Sequence, residues 1–221
     1  MTTNFCPDAD GSVLFEMGNT RLICAAFASA DVPDHAKARG NGWISAEYSL
    51  LPYSTSPRTK RRTGNPDGRS VEIQRLIGRS LRRMVDLSLM PGCAVTVDCD
   101  VLQAHGGTRT AAITGACIAL RMAASRMVER GMAAVNPVVR SVAAVSAGYV
   151  GGELLLDLDY AEDSAADVDM NVVMDGDYNL VEVQGTGENS SYTMEQMLSM
   201  IKLARDGIEQ LFSIQDQALG R

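Results

Sequence analysis

Histidine is scarce in this 221-residue chain. His35 and His105 are its only two, which argues against a histidine-rich metal site. The five cysteines, at 6, 24, 93, 99 and 117, are odd in number and form no Cys-x-x-Cys pair; several sit in apolar runs, so reduced, buried thiols in a cytoplasmic protein are expected. No apolar run is read as long enough to span a bilayer, so no membrane partner is expected. The opening Met1-Thr-Thr-Asn-Phe-Cys-Pro7 lacks the basic and apolar regions of a secretory signal. Basic residues are missing altogether between Arg140 and Lys202, an interval that holds Asp157, Asp159, Glu162, Asp163, Asp167, Asp169 and five acids after them.

What is present is a hydrophobic fraction of 46%, enough for a real core, and a very uneven charge. The net charge is −7, yet residues 58 to 83 carry nine of the twenty Lys and Arg, among them Arg58, Arg61, Arg62, Arg69, Arg79 and Arg82, against only Asp67 and Glu72. One concentrated basic segment in an acidic chain suggests a local polyanion site rather than general coating of nucleic acid. Its plainer reading is a solvated basic face. Pro and Gly interleaved in the loop part favour a flexible clamp on a phosphodiester backbone.

The stretch from Val95 to Gly115 organises the chain. Thr96, Val97 and Val101 mark a strand, which breaks at Gly106-Gly107; Ala112, Ile113, Ala116, Ala119 and Leu120 then fall on one face of a helix. Thr108 is the expected N-cap, with Arg109 and Thr110 in the first turn. A glycine pair lets backbone approach a ligand, and free amides at a helix start point toward an anion. Arg109 opposes the helix dipole there, by a few tenths of a kcal/mol, which a bound phosphate would offset. The bland alternative is a tight turn whose arginine faces solvent. The segment lacks the spacing and the Gly-Lys-Ser/Thr ending of a Walker loop.

Around it, Ser12–Met17 and Thr20–Ala26 read as a hairpin turning at Gly18-Asn19, residues 29–41 as a loop, and Gly42–Leu51 as a strand. A helix starts at Ser70 with an apolar stripe of Val71, Ile73, Leu76, Ile77, Leu81, Met84 and Val85, closed by Pro91-Gly92. Further strands are expected at 142–150, 154–159, 168–174 and 179–183, the last two joined through Asp175-Gly176-Asp177. Thr193 caps a final amphipathic helix with Gln196 three positions on. Strands in runs with long helices between them predict an α+β fold, one compact domain over residues 1–221 with no linker.

The acidic interval supplies the second candidate constellation. Asp157 and Asp159 are expected on one face of a strand, Asp169 and Asn171 on one face of the next, with an intervening loop bringing Asp163 near Asp169. Paired carboxylates hold Mg²⁺, or raise one another's pKa so that one donates a proton. An acidic loop rich in turn residues is the plainer reading, and the offsets exclude an EF-hand. An oxyanion pocket, a polyanion track and a carboxylate pair together suit phosphoryl or nucleotidyl transfer on nucleic acid.

Several motifs also resemble a known family: Gly42-Trp-Ile-Ser-Ala-Glu-Tyr48, Gly68-Arg-Ser-Val-Glu-Ile-Gln-Arg-Leu-Ile-Gly-Arg79, Asp98-Cys-Asp-Val-Leu-Gln-Ala104, Gly106-Gly-Thr-Arg-Thr110, Leu156-Asp-Leu-Asp-Tyr-Ala-Glu-Asp-Ser164, Asp169-Met-Asn171 and Glu182-Val-Gln-Gly-Thr186. In this order, over almost the whole chain, they closely resemble ribonuclease PH. The resemblance implies two similar βαβα-type halves and a homo-hexamer built as a trimer of dimers. It implies a phosphate-dependent 3′-to-5′ exoribonuclease of the tRNA nucleotidyltransferase type, trimming tRNA precursors and other RNA 3′ ends, with inorganic phosphate as co-substrate and nucleoside diphosphates as products. Arg69, Gly107, Thr108 and Arg109 match its phosphate-binding residues. Asp163 and Asp169 match its catalytic acids and Mg²⁺-associated groups, and Arg58, Arg61 and Arg62 fall where basic residues help hold tRNA. Three departures stand out. The family's opening Arg-Pro-Asp-Gly-Arg has no match ahead of Gly11, whether because the chain is shortened or because its start lies upstream. Tyr53 stands where an RNA-binding Arg is common, and His105 replaces an Asp. Two rival readings remain: a catalytically weak RNA-binding ring subunit acting as a scaffold, and a hydrolytic nuclease releasing monophosphates.

Overall fold

The computed structural model of the chain describes residues 1–61, 63–64 and 67–220. Its first sheet contains β1 (Thr2–Thr3), β2 (Gly11–Met17), β3 (Thr20–Ser29), β4 (Trp43–Leu50) and β5 (Ala94–Gln103), in the order β1-β2-β3-β5-β4. The hairpin forms as expected, with Met17 opposite Thr20 across Gly18-Asn19. β4 runs parallel to β5. Parallel neighbours need a crossover, and the apolar stripe starting near residue 70 supplies it as helix α2 (Gly68–Arg83). A short helix α1 (Asp34–Lys37) interrupts the expected loop before β4.

α2 starts where Asp67 accepts from the Ser70 amide at 2.8 Å and buries Ile73, Leu76, Ile77 and Leu81. Two details depart from the sequence reading. The helix ends at Arg83, ahead of a short 3-10 turn at Leu87–Leu89, and Val71 stays 37% exposed because it sits in the first turn, off the buried face.

Helix α3 (Thr108–Glu129) lies between the first sheet and the second, so nearly all of its sides are buried. At 22 residues, with a mean hydropathy of 1.3 over its richest window, it is long and apolar enough to cross a bilayer, contrary to the sequence reading. Interspersed Thr, Ser and Arg disguised the run. In the fold, 78% of that window is buried, and the helix serves as the central core element.

The second sheet is antiparallel: β6 (Val142–Val150), β7 (Glu153–Leu156), β8 (Val168–Asp175) and β9 (Leu180–Gly187), in the order β7-β6-β8-β9. Alternation divides its side chains. Val142, Ala144 and Val173 join the core around α3, whereas Ala143, Val145, Met170 and Val172 pack against Met200, Ala204 and Ile208 of α5 (Met194–Ala218). The expected Thr193/Gln196 capping box opens α5.

One strand is shorter than expected. β7 stops at Leu156, and Asp157 takes a left-handed φ of 57°. Asp159 accepts from the Ala161 and Glu162 amides at 2.8 and 2.9 Å and caps helix α4 (Tyr160–Ala165). Asp157 and Asp159 therefore do not share a strand face, because Asp159 stabilises more as a helix cap than as an exposed strand carboxylate. The fold is α+β in two halves, each a sheet backed by helices. All five cysteines are free, four of them buried.

A candidate phosphate and RNA cleft between the two halves

The head of α3 is built from the loop that leaves β5. The Thr20 hydroxyl accepts from the His105 amide at 3.0 Å and donates to the Gly106 carbonyl at 2.6 Å, which clamps the loop. Gly106, at φ 87°, lies flat against the second half; a Cβ there would come within 2.2 Å of the Leu158 carbonyl oxygen. Gly107, at φ 54°, is the N-cap, and Thr108 is the first helical residue. The expected Thr108 cap is thus displaced by one residue, since the turn needs a left-handed conformation that glycine adopts without strain. Among the described residues no side chain caps α3, so its first amides stay available to a ligand.

The opposite wall comes from the second half. The Asp157 and Leu158 amides bond to the carbonyl and hydroxyl of Ser146 at 2.7 and 3.0 Å, holding the turn that delivers α4. α4 presents Asp163, and β8 presents Asp169 and Asn171 on one face. A cleft of about 980 Å³ results, lined by Arg58, Arg69, Gly107, Thr108, Arg109, Asp163 and Asp169 among others.

Charge inside the cleft is balanced. Burial pushes the Asp169 carboxyl above the usual range; Asp163 and Glu188 add to the rise and Arg109 opposes it. Asp163 is also raised by desolvation, against the pull of Arg69 and Arg109 and with Glu188 adding. Asp163 is exposed at the cleft edge, where water screens it, while Asp169 is half-buried on β8. Arg109 donates to Gln184 Oε1 at 3.1 Å and lies 3.7 Å from Glu72.

Of the residues singled out from sequence, Arg58, Arg69, Gly107, Thr108, Arg109, Asp163 and Asp169 meet in this cleft, with His105 beside them. Arg61 is exposed and outside its lining; Arg62 lies outside the described residues. The basic helix is not a continuous polyanion track. Arg79 pairs with Glu182 at 2.5 Å, and Arg82 stacks on Trp43 at 4.6 Å while donating to the Ile44 carbonyl. Both are spent on internal partners. Tyr53 is 64% exposed and off the lining. Residues 2–3 pair with β2 as an edge strand.

Sequence reasoning missed Tyr48, which donates to Thr108 Oγ1 at 2.9 Å, and Gln184, which holds Arg109. The alternation of Glu182, Gln184 and Thr186 on β9 was a legible sign of a polar strand face, without saying what it meets.

The acid pair offers donors suited to a hard cation. Asp169 Oδ1 is buried and has no hydrogen-bond partner among the described residues, beside Asp163. Among the described residues no three His, Cys, Asp or Glu form a metal-holding group. Two carboxylates, with water and substrate oxygens completing the shell, suit Mg²⁺ better than zinc.

The model of the 3′ exoribonuclease family, domain 1, matches residues 1–126, and that of domain 2 matches residues 141–207. Among solved structures, the fold is similar to rice (Oryza sativa) Rrp46, with a TM-score of 0.79 at 19% identity over 99% of this chain and 92% of that one. An Archaeoglobus fulgidus exosome with RNA bound to the active site gives 0.79 at 24% identity over 96% and 85%. An archaeal exosome core gives 0.75 at 22% identity over 98% and 84%. With both family domains matched in order along its two halves, the chain belongs to the RNase PH family of 3′ exoribonucleases.

Proposed function

We propose that the protein is a phosphorolytic exoribonuclease that shortens RNA from the 3′ end, with tRNA precursors as its substrates. The observation that carries this is the meeting of Arg69 and the head of α3 from one half with Asp163 and Asp169 from the other, in a single cleft. Arg69 and Arg109 neutralise an inorganic phosphate, and the open amides of α3 and the Thr108 hydroxyl orient it. A phosphate oxygen attacks the terminal phosphodiester phosphorus in line. The bond to the preceding O3′ breaks, a nucleoside 5′-diphosphate leaves, and the shortened RNA ends in a 3′-hydroxyl. Asp169, its carboxyl raised by burial, supplies the proton that O3′ takes up. In the alternative role, with both carboxyls ionised, Asp163 and Asp169 are the residues that would hold Mg²⁺, whose chemistry there is to neutralise charge on the phosphate oxygens. Catalysis is mainly positioning and charge stabilisation.

Likeness to an exosome with RNA bound and to an exosome core supports RNA as the ligand and assembly with other chains; a homo-hexamer is the assembly we assign, checked by native mass measurement. The deciding assay incubates the protein with 3′-extended tRNA, with and without phosphate. Phosphate-dependent release of nucleoside diphosphates supports the reading. Monophosphates released without phosphate mean a hydrolase, and RNA binding without turnover means a scaffold subunit.

A further inference from the structure

Tyr48 lies near the end of β4, only 4% exposed, in register with Cys99 of β5 and inside the first-half core. Its phenol donates to Thr108 Oγ1 at 2.9 Å, the hydroxyl at the head of α3. Four groups act on that phenol: Thr108 and Arg109 from α3, Arg69 from α2 and Cys99 from β5. Burial raises the Tyr48 pKa above its ordinary value, outweighing the lowering effect of the Thr108 bond and the two arginines. The phenol is therefore a proton donor throughout the neutral range.

A threonine hydroxyl has one proton and a free rotor. Once Thr108 accepts from Tyr48, its own proton cannot point back along that line. Among the described residues it has no acceptor, and the remaining space beside Thr108 is the cleft shared with Arg69 and Arg109. We propose that Tyr48 is a positioning residue for the anion: its bond turns the Thr108 hydroxyl proton into the cleft, where it serves a tetrahedral oxyanion as a neutral donor between two guanidinium groups. This rests on the phosphate reading above and adds how the site is preset before phosphate arrives. A rotor held in advance does not have to be ordered on binding.

The test is a double-mutant cycle on phosphate-dependent turnover. Tyr48→Phe keeps the ring and removes the donor. It raises the KM for phosphate by roughly three- to tenfold, the span of one ordinary hydrogen bond, with the change in KM and not in the affinity for RNA. Thr108→Val raises the same KM, and Tyr48→Phe made in that background adds little more. Melting curves confirm that both variants fold. A second handle places 3,5-difluorotyrosine at position 48, which lowers the phenol pKa at nearly constant shape. The phenolate cannot donate, so KM for phosphate climbs with pH relative to the native protein. A wild-type KM in Tyr48→Phe, penalties that multiply in the double variant, or a fluorinated protein that follows the native pH profile each overturns the assignment. If native turnover itself ignores phosphate, the phosphate reading falls first, and the two failures are told apart by that control.

Discussion

Gln184 faces Arg109 with its carbonyl oxygen at 3.1 Å, while its amide nitrogen donates to Glu72 at 3.2 Å and Glu182 at 3.1 Å. The two carboxylates can only accept, so they hold the amide NH₂ toward themselves and leave Oε1 for the guanidinium. Glu182 is in turn held by Arg79, with contacts of 2.5 and 2.9 Å. A strand of the second half thus aims an arginine of the first. Gln184→Leu is expected to raise the KM for phosphate several-fold by freeing Arg109. Because these polar groups are part exposed, stability changes by only about 1 kcal/mol, and steady-state kinetics with a melting curve separates the two effects.

Arg109→Ala removes, from the first turn of α3, a cation that acts on both acids. Phosphate-dependent turnover is expected to fall by about 100-fold or more, the scale of losing one charge-stabilising donor. RNA binding, measured by filter retention without phosphate, stays close to wild type. Full activity in this variant would remove Arg109 from the pocket.

The glycine pair divides on substitution. Gly106→Ala forces a Cβ against the Leu158 carbonyl and the Asp159 backbone at a φ of 87°, and costs about 3 kcal/mol or more. At Gly107 the nearest neighbours of a Cβ stand at 3.3 and 3.5 Å, so Gly107→Ala costs about 1–2 kcal/mol, the left-handed strain plus a small shift of the Thr110 hydroxyl. Urea unfolding of the two variants checks the order.

Asp169 trades stability for its place in the cleft. Its carboxyl pKa is raised in the folded chain, chiefly by burial, so the ionised form destabilises the fold above that pKa and the penalty fades as pH falls through it. Asp169→Asn is therefore expected to raise the Tm at neutral pH, with a gain that shrinks toward acid, while turnover is lost. Calorimetry at two pH values decides it; a lower neutral-pH Tm would contradict the burial cause.

Much of this molecule was legible as a string. Alternation marked β2, β3, β5 and β8, the Thr193/Gln196 pair marked the start of α5, and the β5–glycine–α3 junction was visible because turns and caps depend on neighbours a few residues apart. The motif residues that gather in the cleft were named from the chain alone. The boundary near Asp157 was misread although the Asp159/Glu162 capping box that opens α4 was a local signal; the Ser146 bonds that hold the turn, from eleven residues away along the chain, were not visible. Only the stacking of two sheets about α3 could show that Asp163 and Asp169 face Arg109, that Arg79 and Arg82 turn to partners within the fold, and that Tyr48 and Gln184 stand behind the site. Periodicity carries information over one or two turns. Convergence of side chains separated by sixty or a hundred residues is set by how buried faces pack, and that is a property of the folded chain.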